Sequence, residues 1–150
     1  MVMIEVKVKT FAELTTQELY DVLQLRSEVF VVEQDCVYQD IDGKDQKALH
    51  VIGFKNKKVV AYTRLFKPGD YFELASIGRV IVDKAQRQYK YGYDIMNASI
   101  DAVKTHYNQT EIKISAQSYL KRFYGNLGFK EIGDAYLEDG IPHIGMIYKK

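Results

Sequence analysis

The chain has 150 residues, with 21 basic and 20 acidic side chains and a formal charge of +1 at pH 7. That near balance supplies no long-range field for nucleic acid or an anionic membrane, so any phosphate site has to be local. One cysteine, Cys36, cannot staple the fold, and no stretch approaches the ~18 apolar residues of a membrane span.

The length fits one domain over residues 1–150, burying about two-thirds of its unfolded surface. Residues 1–10 alternate valine with lysine and lack the apolar core of a signal peptide. With the lone thiol, this makes a reducing cytoplasm the expected location.

In chain order, residues 2–9 alternate apolar and charged side chains, the pattern of a half-buried strand. Thr15 and Glu18 have capping-box spacing and open a helix over residues 16–31, with Leu19, Val22, Leu23, Arg26 and Phe30 three or four apart. Residues 33–47 carry Asp35, Asp40, Asp42 and Asp45 and read as a polar loop. Two apolar runs, 49–54 and 59–66, flank Lys55-Asn56-Lys57-Lys58 and predict a hairpin. Pro68-Gly69 breaks the chain, and the β-rich run 77–82 centres on Val80-Ile81-Val82, suggesting a central strand.

A polar turn, 83–90, then feeds a helix over 91–106 whose inner face carries Ile95, Ala98, Ala102 and Val103. A short strand, 112–116, precedes a helix, 118–127, with Gly128 as its cap. The tail, 129–148, splits at Asp139-Gly140 into the arms of a hairpin. The order β, α, β, β, β, α, β, α, β, β predicts a mixed sheet with helices on its faces. Pairing should be parallel in the strand–helix–strand units of the second half and antiparallel in the hairpins.

The turn before the second helix carries Lys84, Arg87 and Lys90. A helix N-terminus leaves N–H donors unpaired and carries partial positive charge, so it is an anion site in waiting. Gly92, one turn in, would let a phosphate approach. A solvated surface turn is the plainer reading of the same residues.

Arg87-Gln88-Tyr89-Lys90-Tyr91-Gly92 after Val80-Ile81-Val82 resembles motif A of the GNAT acetyltransferases, Gln/Arg-x-x-Gly-x-Gly/Ala, with Lys90 in place of the first glycine. Residues 112–117, followed by Phe123-Tyr124-Gly125-Asn126-Leu127-Gly128-Phe129, resemble motif B. Residues 25–34, Tyr38-Gln39-Asp40-Ile41-Asp42-Gly43 and the tail 138–146 are similar to the ElaA-like branch. The resemblance implies a GNAT acyl-CoA acyltransferase fold of the α/β (α+β) type. It would have a mixed, mostly antiparallel sheet of about six to seven strands flanked by about three to four helices. It also implies acetyl-CoA as co-substrate, no metal, and transfer of acetyl to the amine of a small molecule or peptide. Relatives that pair make a homodimer a further expectation.

By the same resemblance, Val80, Ile81 and Val82 would hold the pantetheine arm. Arg87, Gln88, Lys90, Tyr91, Gly92 and Tyr93 would surround the phosphates, with Gln117 and Tyr124 completing the cofactor site. A backbone N–H near Ile81 would stabilise the oxyanion. Tyr124 would protonate the departing thiolate, though it also reads as a core tyrosine, and Gln117 as a helix cap. Glu33 is the first candidate base and His143 the second, histidine as a type exchanging protons near neutral pH. Asp40 and Asp42 could attract a cationic acceptor. Loop acids and a hairpin histidine are the plainer readings of these four. Arg79 could pair with an acid of the same sheet.

Rival motifs fail. Val51 stands where the closing Glu of a calcium loop starting at Asp40 would fall. No Cys-x-x-Cys or His-Glu-x-x-His is present, and no histidine lies near Cys36 in sequence to activate it. A module that binds CoA esters without catalysis, and a transferase of longer acyl groups, stay open alternatives.

Overall fold

A computed structural model describes residues 3–150 of the chain. The strands are β1 Glu5–Thr10, β2 Leu49–Lys55, β3 Lys58–Phe66, β4 Ala75–Val82, β5 Glu111–Gln117, β6 Phe129–Glu138 and β7 Ile141–Lys149. The helices are α1 Thr16–Arg26, α2 Tyr91–Tyr107 and α3 Lys121–Asn126. Every element expected from the sequence is present in the expected order, though Val2 of the first strand lies outside the described residues.

Local chemistry explains the boundaries. Glu18 N–H donates to Thr15 Oγ1 at 3.0 Å while the Glu18 carboxylate accepts from Thr15 N–H at 2.9 Å, closing the capping box that starts α1. The helix does not run regularly to residue 31. After Arg26 it widens into a π-helical stretch, Ser27–Glu33, a local widening that often marks functional sites. Asn56 and Lys57 turn the β2–β3 hairpin with φ of 52° and 67°, and Asp139 and Gly140 turn β6–β7 with 50° and 76°, so both central residues of each turn are left-handed.

The seven strands form one sheet in the order β1-β2-β3-β4-β5-β7-β6. Only β4 and β5 are parallel, with α2 as their crossover. The second strand–helix–strand unit adds no parallel neighbour, because β7 inserts between β5 and β6 and pairs antiparallel with both. The edge strand therefore gains a partner from its own hairpin.

The two faces bury different helices. Leu49, Val51, Ala75, Ile77, Ile112 and Ile114 pack with Ile95, Met96 and Val103 of α2. Ile52, Tyr62 and Ile81 meet Val22, Leu25 and Val29 from the α1 side. Val51 and Ile52, successive on β2, point to opposite faces, and each fully buried aliphatic side chain is worth about 1.5–3 kcal/mol.

Charge is buried under the same sheet. Arg26, 0% exposed, donates through Nε to Asp40 at 2.9 Å and through Nη1 to Asp45 at 2.8 Å. Arg64, 1% exposed, grips Asp42 with two bonds of 2.9 Å and reaches Asp45 at 2.9 Å. Arg79 adds a contact to Asp40 at 2.7 Å. The loop read as solvated is thus folded onto three arginines, and Arg79 pairs with loop acids rather than with an acid of its own sheet. Burial raises the Asp42 carboxyl, but hydrogen bonds and charge from Arg64 outweigh it and hold the group at about 2. His50 joins the knot, with Nε2 at 2.9 Å from the Asp45 carbonyl and Nδ1 at 2.6 Å from the Tyr62 hydroxyl. A carbonyl only accepts, so Nε2 carries the proton and Nδ1 accepts from Tyr62.

Two outcomes follow from this knot. Asp45→Ala leaves two buried guanidiniums short of a partner and should lower unfolding stability by about 3–5 kcal/mol, read from denaturant midpoints. Acid should act in two stages. Burial, first, and the nearby guanidiniums hold His50 below its ordinary 6.5, so its contribution is complete above that value and fades as pH falls below it. Asp42 is depressed from 3.8, so its contribution is present above about 4 and lost on approach to about 2. A midpoint that stays level from pH 7 to pH 3 would contradict both.

Candidate active site

The site is made by strands that stop pairing. Between β4 and β5 the ladder consists of Ala75↔Ile112 and Ser76↔Lys113. Beyond these, Ile77–Val82 and Ile114–Gln117 diverge. Against β3, the register slips where Arg79, with φ of 49°, inserts as a bulge, and a bulge bends and twists its strand. The resulting cleft encloses about 480 Å³ and is lined by both diverging segments, a size suited to a small ligand or cofactor arm.

At one end stands the β4–α2 turn. The N-terminus of α1 is closed by its own side-chain box, but that of α2 has no side-chain cap. In its first turn, Tyr93 N–H donates to Lys90 O at 3.1 Å. Lys90 takes φ of 61°, a left-handed conformation that favours glycine. Gly92 has a different reason to be glycine from the one expected. A Cβ there would stand 3.2 Å from the Phe123 ring, so its first service is close packing of α2 on α3.

The expected cofactor residues divide. Val80, Ile81, Val82, Arg87, Lys90, Gly92, Tyr93, Gln117 and Tyr124 all line the cleft. Gln88 is exposed outside the lining, and Tyr91 is buried in the core at 0% exposure, also outside the lining. Gln117 does not cap the helix after it; its amide oxygen accepts from Gln34 Nε2 at 3.3 Å. Arg87 and Glu33, expected in separate roles, hold each other through bonds of 2.6 and 2.8 Å. The Arg87 hydrogen bond holds Glu33 below the usual carboxylate range.

Tyr124 lies in the cleft with its ring edge-on to Phe123 and Phe129. Burial pushes its hydroxyl well above the ordinary phenol range, so it stays protonated. His143, also lining the cleft, donates from Nδ1 to the Ile141 carbonyl at 2.7 Å, leaving Nε2 as the accepting nitrogen 3.4 Å from Glu138. Asp40 and Asp42 are spent on arginines. Cys36 reaches the cleft wall, its thiol donating to the Asp139 carbonyl at 3.4 Å.

Sequence reading missed Glu138, Ser115 and Tyr136. Ser115 bonds both the Tyr136 hydroxyl and, at 3.3 Å, Glu138. The signal was available: a two-residue turn at Asp139-Gly140 sets Glu138 opposite Ile141 and Tyr136 opposite His143, putting all three side chains on one face.

Lys90→Gly should leave stability equal or raise it by up to about 1 kcal/mol, because glycine adopts φ near 60° without steric cost. Lys90→Val should lose about 1–2 kcal/mol. Denaturant midpoints of the two variants check this, and a Lys90→Val protein as stable as the parent would contradict it.

A family model described as "Acetyltransferase (GNAT) domain" matches residues 10–150. Protein ElaA of Escherichia coli K12 is 45% identical over 137 residues, 90% of each chain. A UPF0039 protein of Synechocystis is 40% identical over 140 residues, 93% of this chain and 91% of its own. Among solved structures, that of E. coli ElaA superposes with a TM-score of 0.91 at 43% identity, covering 98% of this chain and 100% of that one. An acyl-CoA N-acyltransferase from Pseudomonas aeruginosa gives 0.89 at 40% identity, covering 96% and 99%. With its splayed central strands and uncapped helix after β4, the chain belongs to the GNAT acetyltransferase family, in its ElaA-like branch.

Proposed function

We propose that the chain is an acetyl-CoA-dependent N-acetyltransferase that moves acetyl to a primary amine by direct attack on the thioester. The observation that carries this reading is the opened edge of β4, running from Ile77 to Val82 into the uncapped start of α2. A pantetheine arm is an amide chain and can pair with that free edge as a missing strand would. The diphosphate suits the start of α2 at Gly92, with the charges of Arg87 and Lys90 beside it. Arg87 is held by Glu33 in the free chain, so an arriving phosphate competes with that carboxylate.

An N–H of the opened edge near Ile81 would face the developing oxyanion. The amine arrives as an ammonium, since its pKa is about 10, and gives one proton to His143 Nε2, taken ahead of Glu33, the first choice from sequence, because Arg87 already holds that carboxylate. The free nitrogen closes a C–N bond to the carbonyl carbon as the C–S bond breaks. Its second proton ends on the CoA sulfur through Tyr124, which gives up its own proton and regains one.

Calorimetry with acetyl-CoA, paired with thiol release over an amine panel, tests the assignment; failure to bind at millimolar concentration would overturn it. Binding with no thiol release would mark a CoA-ester binder instead. Tyr124→Phe should lower kcat by about a hundredfold, the usual scale of a general acid, with acetyl-CoA affinity within about twofold of the parent. Lost affinity with unchanged turnover would remove Tyr124 from the chemistry.

A further inference from the structure

The end of the cleft away from the β4–α2 turn has an unequal set of polar groups. Two arginines line it, Arg64 and Arg79, and both already hold aspartates in the buried knot. Lys44 and Lys113 rest on the rings of Tyr71 and Phe72, at 5.9 and 4.8 Å from their centroids, outside the lining. Among the described residues lining this end, no lysine or arginine is left over for a carboxylate.

Acids are left over. The half-exposed carboxylate of Glu138 has Ser115 Oγ at 3.3 Å and the basic nitrogen of His143 at 3.4 Å, and Asp139 lines the cleft beside it. Neither side chain contacts a lysine or arginine among the described residues.

A second observation is independent of charge. Ser76 is 2% exposed and lines the cleft, yet its hydroxyl has no protein partner. Arg64 Nε, across the ladder from Gly78, is buried and equally unpartnered. A Cβ on Gly78, which shares a sheet face with both residues, would meet nothing within 4 Å, so that face has open space at Gly78. A buried donor without a partner is costly, and a ligand oxygen that reached these groups would relieve that cost. Because the charge of Arg64 is already neutralised, a neutral oxygen suits the site and a carboxylate does not.

We propose that the acceptor is a protonated primary amine bearing a neutral oxygen, as an amide or alcohol, and no carboxylate beside the amine. Glu138 receives the ammonium and presents it to His143 Nε2, while Ser76 and Arg64 Nε hold the oxygen. This rests on the transfer reaction proposed above and names its substrate class and two further binding residues.

Phenylalaninamide, phenethylamine and phenylalanine separate the elements of the proposal. Transfer to phenylalaninamide should exceed that to phenylalanine by about tenfold or more in kcat/KM, the scale of one charged contact. Glu138→Gln should erase that preference, and Ser76→Ala should weaken phenylalaninamide by about fivefold while leaving phenethylamine within about twofold. Both variants should bind acetyl-CoA as the parent does, which also reports that they fold. Equal use of phenylalanine, a preference that survives Glu138→Gln, or equal effects of Ser76→Ala on both amines would overturn the proposal. Affinities of the three amines, measured calorimetrically without acetyl-CoA, should follow the same order. The roles of Glu138 and Ser76 can therefore be tested even in a chain that transfers no acetyl, and failure of the transfer reading stays distinguishable from failure of this one.

Discussion

The structure depends on an interrupted ladder. Two parallel strands in the middle of a sheet would normally pair along their whole length, because every unpaired N–H and C=O inside a protein carries a penalty. Here β4 and β5 pair at Ala75 and Ser76 and then part. The bulge at Arg79 bends β4 away, while β7 keeps β5 aligned from its other side. The divergence yields a cleft with main-chain donors and acceptors on one wall and side chains of β5, β7 and α3 on the other. An amide-rich, extended ligand is the natural complement of such a wall.

The buried arginine–aspartate knot sits against the same opening. Removing six charged groups from water is expensive, and the pairing returns that energy only when each charge has a partner. Arg26 comes from α1, Arg64 from β3, Arg79 from the bulge, and the aspartates from one loop. The knot therefore ties the π-helical end of the first helix, the sheet and the bulge to a single loop. It also leaves the arginines that line the cleft electrically silent. What looked in sequence like a solvated acidic loop is a buried tie whose aspartates pair with the arginines beside the cleft.

Glycine and lysine near the helix start show how a motif and its physical cause can separate. Gly92 gives the ring of Phe123 close approach, whereas the left-handed position is filled by Lys90. A lysine accepts that backbone at a steric cost and brings its charge to the start of α2. Glu33 lies close enough to hold Arg87, joining two residues far apart in sequence that local reading assigned to separate tasks.

Much was legible from the chain alone, for reasons local to it. Strand and helix periods, the Thr15–Glu18 box, the Asp139-Gly140 turn and the strand–turn–helix before Gly92 each depend on neighbours within a few residues. They sufficed for element order, the mixed sheet and the strand–turn–helix that closes one end of the cleft. Tertiary structure alone decided that β7 would slip between β5 and β6, that β4 would part from β5, and that Asp40, Asp42 and Asp45 would be buried against arginines. It also decided that Glu138 and Ser76 would face one space. Those outcomes depend on contacts between segments distant in sequence, whose energies come from burial and charge pairing and leave no periodic trace in the chain.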